Sequence, residues 1–129
     1  MATINKTIYG GVVALVGTTD TFQLVLPSIS NVAFPHYLDN QVIEECYINC
    51  DTDSESCTIN LPPISAFKGS WGAKFYISNL GGGEVVVNIG APGQTINGFA
   101  TFTIPATFST GYFHVVDYDL WACFLTPGV

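Results

Sequence analysis

The fold of this chain is decided by the stretch from Thr58 to Trp121. It contains the phrases Ile59-Asn60-Leu61-Pro62, Val85-Val86-Val87-Asn88-Ile89 and Thr95-Ile96-Asn97-Gly98. Apolar and β-branched residues dominate these phrases, and each ends at or is followed by proline or glycine, which is the pattern of short strands separated by turns. The stretch predicts strands at about 59–61, 73–78, 84–89, 95–97, 100–104, 112–117 and 120–124.

The residues before this stretch are also rich in strand formers. Residues 3–9 and 12–16 are β-prone and are separated by Gly10-Gly11, which fits a hairpin or a kinked terminal strand equally well. Thr21–Leu26 alternates and stops at Pro27, as a strand does. No segment of ten or more residues has a convincing 3.6-residue period, so we expect very little helix.

Length and composition predict one all-β domain over residues 1–129. Thr, Val, Ile, Phe and Tyr are plentiful, the chain has no Arg and one Met, and Gly and Pro recur between the apolar phrases. This composition favours a sandwich or barrel, and we expect an antiparallel β-sandwich of jelly-roll-like type.

The charge content excludes some classes of partner. Three Lys and no Arg against ten acidic residues give a net charge of −7, which is unsuited to nucleic acid or an anionic membrane surface. The longest nearly apolar run, Tyr9–Gly17, is too short to span a bilayer, and no signal-peptide pattern opens the chain. Only 10% of residues are charged, against about 25% in ordinary soluble domains. This low charge favours an obligate homo-oligomer.

A phrase of strand followed by proline occurs twice. Leu24-Val25-Leu26-Pro27-Ser28-Ile29-Ser30 is echoed by Thr58-Ile59-Asn60-Leu61-Pro62-Pro63-Ile64-Ser65. Proline follows a strand because it cannot donate a hydrogen bond to the sheet. Either an internal repeat of strand plus turn or shared turn chemistry accounts for the echo.

The order of these phrases resembles a β-module of phage tail-fibre proteins and of surface or capsid decoration proteins of large DNA viruses. The resemblance covers about residues 58–124, and its most specific part is Gly93-Gln94-Thr95-Ile96-Asn97-Gly98 followed by Trp121. The acidic, cysteine-bearing segment before it and the lack of a fibre shaft depart from that pattern. These departures favour a stand-alone decoration or minor capsid protein over a tail fibre.

The resemblance implies a structural, non-enzymatic role on the surface of a virion. Such modules are usually homotrimers that form a knob or fill a site on a capsid lattice, so we expect self-association and contact with other virion proteins. The protein would be made in the host cytoplasm and could aid host attachment. Two alternatives remain open, a carbohydrate-binding adhesin that contacts a host glycan and a self-assembling filament or lattice protein.

The cysteines are Cys46, Cys50, Cys57 and Cys123. Cys50 with Cys57 is the preferred disulfide among the first three, and it would staple a segment with little core. The spacing of Cys46 and Cys50 fits a zinc pair loosely, but Cys57 and Cys123 make no second pair, so zinc is not expected even with His36 as a further ligand. Cys123 lies in an apolar strand, which predicts a buried free thiol.

Asp51, Asp53 and Glu55 occupy alternate positions like the start of a calcium loop. Ser56 and Pro62 stand where such a loop needs glycine and glutamate, so a solvated acidic loop is preferred. A weak metal site between subunits is the alternative, and no cofactor is expected.

The sequence gives only weak signals for a combination of catalytic residues. Ser109 lacks the surroundings of an activated nucleophile, and His114 lies beside Val115 and Val116 in a strand, so a hydrolase triad with Asp117 is not expected. Asp117 and Asp119 would share one face of a strand, but nothing places them in a cleft as a glycosidase pair. The protein is therefore predicted not to be an enzyme.

Aromatic residues are the candidates for a ligand or interface surface. Packing in the core or in a subunit interface is the preferred role, and stacking on sugars is the alternative. The candidates are Trp71, Tyr76, Tyr112, Tyr118 and Trp121.

Overall fold

The computed structural model of the chain describes residues 3–7, 11–16, 20–25, 46–52, 56–64, 74–106, 108–117 and 119–126. In chain order the strands are β1 (Thr3–Thr7), β2 (Gly11–Val16), β3 (Thr21–Val25), β4 (Cys46–Asp51), β5 (Cys57–Asn60), β6 (Lys74–Asn79), β7 (Val85–Asn88), β8 (Thr95–Ile96), β9 (Thr101–Ile104), β10 (Thr110–Asp117) and β11 (Leu120–Thr126). Within these ranges no helix is long and apolar enough to cross a membrane.

The strands form two sheets, and the chain alternates between them from β1 to β10. The first sheet has the order β1-β3-β5-β7-β9, and the second has the order β2-β4-β6-β10-β11-β8. Neighbouring strands from β1 to β7 within each sheet are parallel. A parallel neighbour requires the chain to return to the same end of the sheet, and each passage through the opposite sheet provides that return. The first seven strands are therefore a two-sheeted parallel coil.

The predicted all-β architecture is confirmed, but the predicted antiparallel order is wrong for most of the chain. Six of the nine strand pairs are parallel, and only β6–β10, β10–β11 and β7–β9 are antiparallel. This is not the antiparallel pairing of a jelly roll. Turn residues signal where a strand stops, but they do not determine whether the chain next pairs with that strand or crosses to another sheet. The hairpin considered for residues 3–16 is wrong for the same reason, because β1 and β2 lie in different sheets.

The strands predicted from the sequence are confirmed. β3 and β5 are parallel neighbours, with Phe22 opposite Ile59 and Gln23 opposite Asn60. The paired residues of β3 lie before the first copy of the echoed phrase, which begins at Leu24. The sequence aligns Pro27 with Pro62, whereas the sheet pairs Thr21 with Thr58, so the pairing does not decide between a repeat and shared turn chemistry.

In the first sheet, stacking places amide side chains in one outward row. The row contains Asn5, Gln23, Asn60, Asn88 and Thr101. Asn88 Nδ2 donates to Asn60 Oδ1 at 3.1 Å, and Thr101 Oγ1 donates to Asn88 Oδ1 at 3.0 Å. Such amide ladders stabilise stacked strands because each amide both donates and accepts along the row.

A single core lies between the two sheets. Buried and less buried residues alternate along the strands, so each strand directs every second side chain inward. The first sheet contributes Leu24 and Ile59, and the second contributes Ile48, Ile77 and Trp121, all fully buried. Each such side chain stabilises the fold by about 1.5–3 kcal/mol relative to exposure.

Asn79, the last residue of β6, connects the coil to the antiparallel end. Its Nδ2 donates to the carbonyl oxygens of Gly83 at 2.8 Å and Ile104 at 3.2 Å. Its Oδ1 accepts from Thr52 Oγ1 at 2.9 Å and from the Gly81 amide at 3.2 Å. Both donors and both acceptor positions of the buried amide are thus used, which makes it a fixed polar centre inside the protein.

The strongest turn signals are confirmed. Asn97 and Gly98 have φ values of 54° and 91°, and Ile96 and Phe99 form an antiparallel bridge around them, as in a type I′ turn. The side chain of Asn97 also continues the sheet edge, because its Nδ2 donates to the Cys123 carbonyl and its Oδ1 accepts from the Cys123 amide, both at 2.9 Å.

Candidate functional site

The outer face of the second sheet carries a row of aromatic side chains, which we call the aromatic ladder. It consists of Tyr47 on β4, Tyr76 on β6, Tyr112 on β10 and Phe124 on β11, placed side by side by the strand register. Ile48, Ile77, Phe113 and Cys123, each adjacent to one of these residues along its strand, are buried in the core. The alternation that builds the core therefore also directs these rings outward.

The rings of the aromatic ladder stack on one another. The ring centroids of Tyr47 and Tyr76 are 4.9 Å apart with an interplanar angle of 8°, and those of Tyr76 and Tyr112 are also 4.9 Å apart with an angle of 16°. Tyr112 and Phe124 follow at 6.2 Å. Because Tyr76 and Tyr112 have a ring on either side, their faces are turned towards neighbouring rings. The edges and hydroxyl groups remain for contact with a ligand.

His114 adds a polar group to the same face. Its ring stacks on Tyr112 at 5.4 Å and on Phe124 at 6.1 Å. Its Nδ1 atom is buried and has no hydrogen-bond partner among the described residues. The imidazole therefore belongs to the aromatic cluster, and no described polar group forms a hydrogen bond with its Nδ1 atom.

A polar row lies beside the aromatic ladder. The strand register aligns Asn49, Ser78, Thr110 and Thr126 across β4, β6, β10 and β11. The hydroxyl groups of Ser78 and Thr110 are hydrogen-bonded at 2.9 Å. The face thus combines aromatic edges with amide and hydroxyl groups, which is the composition of a surface that binds a neutral polar ligand or another protein.

The structure brings together only two of the aromatic candidates predicted from the sequence, Tyr76 and Tyr112. Trp121 is fully buried, so it packs in the core and does not present its ring to a sugar. Trp71 and Tyr118 lie outside the described residues.

Sequence reasoning missed Tyr47, Phe124 and the part played by His114. Each residue lies one position away from an inward-facing residue, Ile48, Cys123 and Phe113 or Val115 respectively. The alternation would have placed them outward, but their alignment in one row depends on strand order.

The candidate catalytic and metal residues do not form a site in the part of the chain that is described. Ser109 and His114 are five positions apart on extended backbone, a separation of about 16 Å, which is too far for a triad. Asp117 ends β10 and Asp119 lies in the following turn, so the two carboxylates do not lie on one strand.

Of the acidic candidates, Asp51 is exposed at the end of β4, while Asp53 and Glu55 lie outside the described residues, as does His36. No group of three or more described His, Cys, Asp or Glu residues is arranged to hold a metal ion.

Cys50 and Cys57 form a buried pair between the sheets. Cys50 ends the inward row of β4, Cys57 begins β5 in the opposite sheet, and both are fully buried. Both are free thiols, and they are hydrogen-bonded to each other. That hydrogen bond, together with burial, raises the pKa of Cys50, while the same bond lowers the pKa of Cys57 because it stabilises the Cys57 thiolate.

Cys123 is also a free, buried thiol, as the sequence predicted. Burial raises its pKa to about 12 because the thiolate is poorly solvated in the core.

The edge of β11 carries exposed apolar side chains. β8 pairs with Leu120 and Trp121 only, and Asn97 continues that edge as far as Cys123. Beyond this point Phe124 and Leu125 are 62% and 40% exposed. We call residues 124–126 the open edge, since among the described residues their only strand partner is β10.

Comparisons with known proteins give no relative for this chain, since no protein-family model matches it and neither the curated proteins nor the solved structures include a significant match.

Proposed function

We propose that the protein is a non-enzymatic structural protein of a virus particle that assembles with copies of itself. The proposed role is capsid decoration, a minor capsid protein or a fibre knob on the virion surface, after synthesis in the host cytoplasm. The observation that carries the proposed self-association is the open edge of β11. The virion setting and the homotrimer rest on the resemblance described above for residues 58–124.

The open edge supports self-association for two physical reasons. Unpaired backbone groups on an exposed apolar strand are a template for pairing with another strand. Exposed Phe124 and Leu125 would also lose contact with water when such a partner binds. A second copy of the chain is the partner of choice, because residues 120–126 carry no charged side chain and two such edges can meet without bringing like charges into contact.

The oligomeric state tests this proposal. We expect light scattering coupled to size-exclusion chromatography to give the mass of a trimer. Leu125→Lys should weaken the assembly, because it places a charge in the interface. Val116→Lys is the matched control, since Val116 is 44% exposed but lies on β10 away from the open edge.

Three outcomes separate the alternatives. Dissociation of Leu125→Lys with an intact Val116→Lys trimer supports the proposal. A wild-type monomer at every concentration would overturn it, and growth into long polymers would favour the filament or lattice protein. An electron cryo-microscopy map of the native assembly would test the position on the particle.

A second candidate, glycan binding, is favoured by the aromatic ladder and its polar row. Because the inner rings stack on one another, the sugar would contact the tyrosine hydroxyls and the side chains of Asn49, Ser78 and Thr110. The net charge of −7 favours neutral glycans over acidic ones.

A glycan array with Tyr112→Phe tests this candidate. The variant keeps the ring and removes the hydroxyl, so binding should fall several-fold while stability changes little. Thr103→Ala on the other sheet is the control and should bind like the wild type. Equal binding by both variants, or no binding by the wild type, excludes the aromatic ladder as a glycan site.

A further inference from the structure

We propose that Cys50 and Cys57 are an oxidisable pair that forms a disulfide between the two sheets of the coil. The inference is independent of the proposed virion role. Both side chains are fully buried in the same core cluster, Cys50 from β4 and Cys57 from β5 in the opposite sheet. Each thiol also shifts the pKa of the other, as neighbouring thiols do.

The backbones on both sides of the pair are held in place. The Leu80 amide donates to the Cys50 carbonyl at 2.8 Å, and the Cys57 amide donates to the Glu84 carbonyl at 2.8 Å. The strand register also places Cys50 beside Leu15 and Asn79, and Cys57 beside Val85. A disulfide would thus join two strands whose positions are already fixed by neighbouring coils.

The alternative bridge between Cys46 and Cys50 is excluded by the strand. The two residues are four positions apart on β4, which separates their Cα atoms by about 13 Å. A disulfide requires Cα atoms within about 7 Å. Cys57 is therefore the partner available to Cys50 among the cysteines close to it in sequence.

The reaction is thiol–disulfide exchange with a small-molecule disulfide such as oxidised glutathione. The Cys57 thiolate, which the Cys50 thiol stabilises, attacks one glutathione sulfur, forms a mixed disulfide and releases one glutathione thiolate. Cys50 then loses its proton to solvent and attacks the Cys57 sulfur, which expels the second glutathione thiolate. The two released thiolates take up the two protons. Two protein thiols and one glutathione disulfide become one protein disulfide and two glutathione thiols.

Burial controls when this exchange occurs. Both thiols are fully buried, so the oxidant reaches them before the core closes during folding or during transient local unfolding of the folded protein. In a reducing cytosol the pair stays reduced, and after release into an oxidising medium it forms the bond. The bond would restrict the unfolded chain and stabilise the folded coil.

The test compares wild-type protein refolded with reduced glutathione and with oxidised glutathione. Of the four thiols in the chain, oxidised protein should show two after denaturation, and a peptide map without reductant should contain the Cys50–Cys57 peptide. The thermal midpoint should rise by about 5–10 °C and return on reduction.

Cys57→Ala and Cys50→Ala should lose this oxidant-dependent rise, and Cys123→Ala should keep it. The peptide map uses wild-type protein, so the proposal is decided even if a variant does not fold. Four free thiols after refolding with oxidised glutathione, or a linkage to another cysteine, would overturn it.

Discussion

Strand β3 pairs with β5 through residues that are 37 positions apart in the sequence. Strands β10 and β11, in contrast, pair with only two residues between them. The parallel coil from β1 to β7 thus depends on contacts between residues that are distant in sequence. The antiparallel end depends more on local turns at Asn97-Gly98 and after Asp117. Local turns form with little loop-closure entropy, but a coil strand gains stability only when the next coil stacks on it.

The largest expected effect is on the coil. Ile59 is fully buried in β5, between β3 and β7, so Ile59→Ala should lower the free energy of unfolding by about 2–5 kcal/mol through lost burial and a residual cavity. Urea unfolding followed by tryptophan fluorescence measures this. Thr58 lies beside Ile59 on the less buried face of β5, so Thr58→Ala should lower the free energy of unfolding by much less than Ile59→Ala. Equal costs would contradict the placement of Ile59 in the core.

The connection between the two regions should be nearly as sensitive. Asn79→Ala removes four hydrogen bonds and leaves buried partners such as Thr52 unsatisfied, so we expect a loss of about 2–4 kcal/mol. Chemical denaturation measures the loss, with the neighbouring Ser78→Ala as the control. If Asn79→Ala were as stable as Ser78→Ala, Asn79 would not connect the two regions.

A smaller effect is expected in the local turn of the antiparallel end. Gly98 has a φ of 91°, which a side chain rarely adopts, so Gly98→Ala should cost about 1–2 kcal/mol. Gly82→Ala is the matched control, because Gly82 lies in an exposed turn and is not among the glycines with positive φ. Hydrogen exchange should show the loss of protection first near Cys123, whose backbone is held by Asn97.

The smallest expected effect is a pH dependence from Cys123 in β11. Its pKa is about 12 in the folded protein against 9.0 for an ordinary thiol, so the unfolded state loses the proton first as pH rises. The contribution of this thiol to the free energy of unfolding is therefore fully present below about pH 9 and falls as the pH approaches 12. Urea midpoints from about pH 8 to about pH 10 should fall less for Cys123→Ala than for the wild type. Parallel curves would show that the thiol does not ionise on unfolding.

The strand positions could be read from the sequence because they depend on local properties. Alternation, β-branched residues and turn residues located nearly every strand. Strand order could not be read in this way. The echoed phrase aligns Pro27 with Pro62, which is not the register that pairs Thr21 with Thr58. Register is selected by the core, where Phe22 must lie beside Ile59.

The candidate site was only partly predictable for the same reason. Tyr76 and Tyr112 were identified as aromatic residues in strands, and Cys50 with Cys57 was identified from spacing. The stacked rings of Tyr47 and Phe124 depend on β4 and β11 being placed in one sheet with β6 and β10. Cys50 was expected in an exposed loop, whereas it lies fully buried at the end of β4.

The amino-acid sequence was thus sufficient to establish an all-β chain, its strands and its turns. These properties depend on individual residues and their near neighbours. The parallel coil, the aromatic ladder, the facing thiols and the open edge of β11 arise only when distant strands pair. Burial of one shared core selects that pairing, and a pattern of period two is compatible with many strand orders.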